Sequence, residues 1–174
     1  THEGPRVLRP PARGDPGLIR PWPDLAGLDR LWGPTDPLGA ELRLQFPDRW
    51  TRYYTLPDGE RIARTDEQRA EQMYRYLAVQ NALGTPALVT TCESGLVPAA
   101  QWRDAGGFTV YASAVDSAED LVPLLRMVAD DQASEVIVAP TDLSWLVHPY
   151  DGGIDVIGPE LDFADWRSPR ADGL

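Results

Sequence analysis

A chain of 174 residues suffices for one folded unit and is short for two; a unit of ~150 residues buries roughly 70% of its unfolded surface, so neither disulfide nor metal staple is required. Hydrophobic and charged contents of 43% and 25% argue against global disorder, and no run approaches the ~20 apolar residues that span a bilayer. The net charge of -11 gives an acidic surface that repels phosphate backbones, which argues against nucleic-acid binding.

Residues 1–36 form a proline- and glycine-rich arm, with Pro5, Pro10, Pro11, Pro16, Pro21, Pro23 and Pro34 removing backbone donors. An extended arm is expected, its later part held by Trp22, Leu28, Leu31 and Trp32. Residues 37–174 read as a single domain. Its first element is a strand over 41–46, where Leu42, Leu44 and Phe46 alternate with polar residues. Pro47-Asp48 turns the chain into a second strand over 50–56, the two reading as a hairpin, and Pro57-Asp58-Gly59 closes the second strand.

The strongest helix signal follows. Thr65 and Gln68 make a capping box, Asp66 and Glu67 favour the positive end of the dipole, and Gly84 with Pro86 ends the helix. Ala70, Met73, Tyr74, Leu77 and Asn81 lie on one face at helical spacing. Strands are then expected over 87–92 and 107–114. A second helix should start at Ser117, with Asp120 as its capping acid and Pro123 tolerated in the first turn. Three more strands follow at 135–139, 145–150 and 154–157, the last two joined by Asp151-Gly152-Gly153. Two helices cannot cover both faces of so many strands, so the expected fold is α+β: a mostly antiparallel sheet with two helices packed on one face.

Chemistry-bearing motifs are sparse. The chain has no lysine, which excludes a P-loop, and no G-x-G-x-x-G follows a strand. Ser94 lacks the G-x-S-x-G setting of a nucleophile elbow. His2, Cys92 and His148 are too scattered for a zinc site, so neither metal nor cofactor is expected. Cys92, ending an apolar strand, reads as a core residue. A lone cysteine also suits a reducing compartment, and the N-terminus shows no basic-then-apolar leader, so a cytoplasmic location is expected.

One segment concentrates functional residue types: Trp145-Leu146-Val147-His148-Pro149-Tyr150-Asp151-Gly152-Gly153-Ile154-Asp155-Val156-Ile157. His148 near Asp151 could act as a base, with Tyr150 and Asp151 in support. The structural alternative has His148 and Asp151 bonding the hairpin backbone while both glycines supply turn dihedrals. This segment, with Leu-Leu-Arg-Met-Val-Ala-Asp-Asp at Leu124–Asp131, resembles a family of uncharacterised bacterial proteins. That family carries a domain of unknown function and is common in high-GC actinobacteria. The resemblance spans roughly Leu42 to Leu174, departs at Val147, where the family pattern has an aromatic residue, and implies no established activity.

Charge supplies the functional expectation. Thirteen carboxylates lie between Asp104 and Asp165 against one arginine, Arg126. Such a bias favours a non-enzymatic domain that binds a basic protein, for example an immunity or inhibitor protein facing a basic toxin. Trp145, His148, Tyr150, Asp151 and Asp155 are the expected partner-binding residues. An enzyme centred on His148, Tyr150 and Asp151, and a subunit of a larger assembly docking through Trp22 or Trp32, are the alternatives.

Overall fold

The computed structural model describes residues 20–21, 46–93, 95–97, 100–105 and 108–167. Eight strands share one sheet: β1 (Arg20–Pro21), β2 (Trp50–Tyr54), β3 (Leu88–Thr91), β4 (Ala100–Ala105), β5 (Phe108–Ala114), β6 (Ile137–Ala139), β7 (Leu146–Tyr150) and β8 (Gly153–Ile157). Their order is β1-β5-β3-β6-β7-β8-β2, with β4 also on β5. Each pairing is antiparallel. The helices are α1 (Asp66–Leu83) and α2 (Val122–Ala129). The α+β expectation is met.

Both helices start as their sequences dictate. Thr65 Oγ1 accepts from the Gln68 backbone at 3.1 Å, and Gln68 Oε1 accepts from the Thr65 N–H at 3.2 Å. Before α2, a 3-10 turn at Ala118–Leu121 is capped by Ser117 and Asp120, and Pro123 sits in the first turn of α2, where its missing donor costs nothing.

Strand alternation divides the core in two. Toward the helices point Val89, Val138, Val147, Ile154 and Val156, packed with Tyr76 and Val79 of α1 and Leu124, Leu125 and Val128 of α2. Toward the other side point Leu88, Val110, Ala112, Ile137, Leu146 and Ile157. The helices bury residues only in the first cluster, so both lie on one face of the sheet.

Three expectations need correction. On α1, Met73 and Leu77 of the expected face pack half-buried against the core, but the fully buried positions are Gln72, Tyr76, Val79 and Gln80, and Tyr74 is 60% exposed. The helix is polar nearly all round, so its periodicity was a weak guide; tertiary contacts fix its rotation, among them the Tyr76 hydroxyl donating to the Tyr150 carbonyl. Strands β1 and β4 were not expected. In β4, Ala-Gln-Trp-Arg-Asp-Ala contains no β-branched residue, and pairing with β5, across the Gly106-Gly107 of the sequence, overrides propensity. Neither Gly152 nor Gly153 has a positive φ, so turn dihedrals do not explain them; close approach does, as shown below. The strand expected over 41–46 lies outside the described residues except for Phe46, which sits in a bend; Ser94, His2, Trp22 and Trp32, and all of the arm except β1, also lie outside them.

Candidate functional site

The register of β2, β8 and β7 builds the site. Arg52 stands opposite Asp155, and Asp155 opposite His148; one step along, Tyr54 stands opposite Gly153, and Gly153 opposite Tyr150. Alternation puts these side chains on the sheet face away from the helices, because their neighbours Tyr53, Ile154 and Val147 belong to the helix-side core. They line a cleft of about 500 Å³ with Arg52, Tyr54, Gly59, Arg61, His148, Tyr150, Gly152 and Asp155 at its walls.

At its floor is an ion pair. Arg52 Nε donates to Asp155 Oδ1 at 2.8 Å and Arg52 Nη2 to Oδ2 at 3.1 Å, a bidentate fork. The two side chains are 22% and 5% exposed. Its hydrogen bond to Asp155 holds the Arg52 guanidinium above its ordinary pKa, against the opposing pull of desolvation. The same guanidinium lies between two rings, 5.5 Å from the Trp50 centroid and 5.3 Å from that of Tyr150, a cation–π arrangement that fixes its plane. Burial, then the Asp155 charge, pushes the Tyr150 phenol up, so it stays a neutral donor. The His148 ring lies 5.5 Å from the Tyr150 ring at 35°.

The two glycines make room for these contacts. A Cβ on Gly152 would stand 2.7 Å from the Arg61 Cα, and one on Gly153 would stand 2.7 Å from Tyr150 Cζ. Gly153 thus lets the Tyr150 ring fold back over the sheet, and Gly152 lets the Arg61 segment cross the hairpin tip. There Arg61 Nη2 donates to Asp151 Oδ1 at 3.0 Å, with Arg61 74% exposed.

Of the residues singled out in sequence, His148, Tyr150 and Asp155 meet in the cleft, and Asp151 sits at its rim through Arg61. The acid opposite His148 in the register is Asp155 rather than Asp151. Trp145 is set apart, 5% exposed in the helix-side core with its Nε1 near Gly84. Arg52, Tyr54 and Arg61 were missed. One signal pointed to Arg52: an aspartate in the apolar strand Gly-Ile-Asp-Val-Ile must be neutralised, and Trp50-Thr51-Arg52-Tyr53-Tyr54 supplies a cation on one face with two aromatics.

The cleft also revises the charge map. Asp155 and Asp151 are paired with arginines from the earlier part of the chain, and Glu160 pairs with Arg167. The hairpin therefore presents little free negative charge. Asp116, Glu119, Asp130 and Asp131 stay exposed elsewhere. Among the described residues, no three His, Cys, Asp or Glu side chains are placed to hold a metal, and no helix is long and apolar enough to cross a membrane.

Comparison with known proteins gives one match. The model of a family described as a domain of unknown function (DUF3885) matches residues 97–165, less than half of the chain. The matched span contains the β7–β8 hairpin with His148, Tyr150 and Asp155, but not β2 with Arg52 and Tyr54. No curated protein and no solved structure matches the chain.

Proposed function

We propose that the chain is a non-catalytic recognition domain that holds a partner protein at the β2–β8–β7 cleft. The observation that carries this reading is the locked state of the cleft's ionisable groups. Both Asp155 oxygens accept from Arg52, Arg52 is permanently charged, and the Tyr150 phenol is held neutral. A general base must be able to gain and lose a proton near neutral pH, and neither the Arg52 guanidinium nor the Tyr150 phenol does so. The tyrosines and arginines that line the cleft on a rigid scaffold are instead residue types that anchor protein interfaces.

The partner we propose is a basic protein, and the role one of inhibition, as an immunity protein serves beside a bacterial toxin. Its support is the net charge of -11, which speeds association with a basic body and makes it salt-sensitive. Affinity capture with the wild-type chain and with Tyr54→Ala, run side by side, tests both parts. The wild type should retain a basic protein at low salt and release it at high salt, and the variant should not retain it. Equal retention by both chains would remove the cleft from the interaction.

A further inference from the structure

We infer that the cleft seats a carboxylate carried on a flat, aromatic body. This rests on the reading of the cleft as a recognition site and adds the chemistry of the group it recognises.

Guanidinium groups only donate, and the one lining carboxylate, Asp155, has both oxygens engaged by Arg52 at 2.8 and 3.1 Å, with the Tyr150 O–H also donating to Oδ1 at 3.5 Å. Among the charged groups of the walls, Arg61 therefore offers donors while the oxygens of Asp155 are already taken. A ligand that complements the cleft must bring acceptor oxygens and negative charge.

Arg61 is placed to receive them. One of its nitrogens donates to Asp151 in an exposed pair, which solvent and salt weaken, so a ligand can share or replace that bond at small cost. A guanidinium fork matches a carboxylate in two parallel bonds, which a point-charge ammonium does not. Arg52 is already committed to Asp155, and its role is to keep the floor neutral beneath the incoming anion. The remaining walls are the rings of Tyr54, Tyr150 and His148, with two glycines. Flat faces and a volume of about 500 Å³ suit a planar apolar body, within the range typical of small-ligand pockets.

The choice of an anion runs against the chain's overall charge of -11, and range resolves this. At physiological ionic strength fields decay over about 8 Å, so the surface at large can favour a basic body while the arginines inside the cleft favour one acid group on it. The carboxylate can come from a free small molecule or from the end of a partner chain.

The experiment is a titration of the whole chain with N-acetyltyrosine, with N-acetyltyrosinamide, and with a pentapeptide ending in tyrosine with a free carboxylate. It is followed by heteronuclear NMR and repeated on Arg61→Gln. The acid should bind at least tenfold more tightly than the amide, and Arg61→Gln should erase that difference without changing the melting temperature. Tighter binding of the pentapeptide than of N-acetyltyrosine assigns the carboxylate to a partner chain; equal binding assigns it to a free small acid. Equal affinity of acid and amide, or acid selectivity that survives Arg61→Gln, would overturn the inference. If partner capture still depends on Tyr54 in that event, the recognition reading stands without it.

Discussion

The two faces of the sheet at β2, β7 and β8 are built from the same strands and solve different problems. Toward the helices, β8 sends Ile154 and Val156 to meet Val147 and the residues of α1 and α2. Away from them it sends Asp155, which meets Arg52. The helix-side face is held by area removed from water, about 1.5–3 kcal/mol for each large apolar side chain, with little dependence on geometry. The cleft face buries two charges, for which attraction barely offsets lost hydration unless the geometry is good. One face can drift in sequence while volume is kept; the other depends on each partner.

Cutting one partner of the ion pair should break that comparison most sharply. Asp155→Ala leaves the Arg52 charge without its counter-ion and should cost about 3–5 kcal/mol in urea unfolding. Replacing both, Arg52→Met with Asp155→Leu, should bring stability back to within about 1 kcal/mol of the wild type while leaving the cleft without its polar floor. A double variant as unstable as the single one would show that the pair holds the fold rather than the site.

Alkaline pH sharpens the contrast next, because each face holds a tyrosine whose phenol is raised. Burial raises the phenols of Tyr76, on the helix side, and Tyr150, in the cleft, above their ordinary value of 10.0. The sign follows from the raised direction. The folded chain keeps these protons when the unfolded chain has lost them, so stability is full below pH 10 and falls above it. Each tyrosine should contribute a slope of about 1.4 kcal/mol per pH unit there. Chemical denaturation across pH 9 to 11 measures this, and Tyr76→Phe or Tyr150→Phe should each flatten the slope.

Smaller changes mark the tolerant face and the surface. Ile154→Val removes one methylene from the helix-side core and should cost about 1 kcal/mol by the same denaturation assay. Glu160→Gln cuts the exposed pair with Arg167 and should cost less than about 1 kcal/mol.

The same contrast explains what sequence conveyed. Helix ends are local, so Thr65 with Gln68 and Ser117 with Asp120 placed both helices from four residues. The β7–β8 hairpin was legible because Asp151-Gly152-Gly153 joins two apolar runs, and with it came His148, Tyr150 and Asp155. What stayed hidden is non-local. Nothing near Asp155 in the chain says that Arg52 is opposite, since their pairing depends on β2 joining the far side of β8. The rotation of α1 was hidden too, because Gln72 and Gln80 are buried where polarity predicts exposure. The reason for Gly152 and Gly153 lies in the ring and backbone that approach them, which dihedral preferences do not encode.

The proposal that the cleft face, and not the helix face, meets the partner is tested most directly by two aromatic truncations measured against the captured protein. Tyr54→Ala alters the cleft, and Tyr74→Ala alters the exposed aromatic of α1, which sits edge-on to Trp166. The account predicts at least a tenfold loss of affinity for Tyr54→Ala and none for Tyr74→Ala. A loss for Tyr74→Ala with Tyr54→Ala binding as the wild type does would place recognition on the helix side and contradict it.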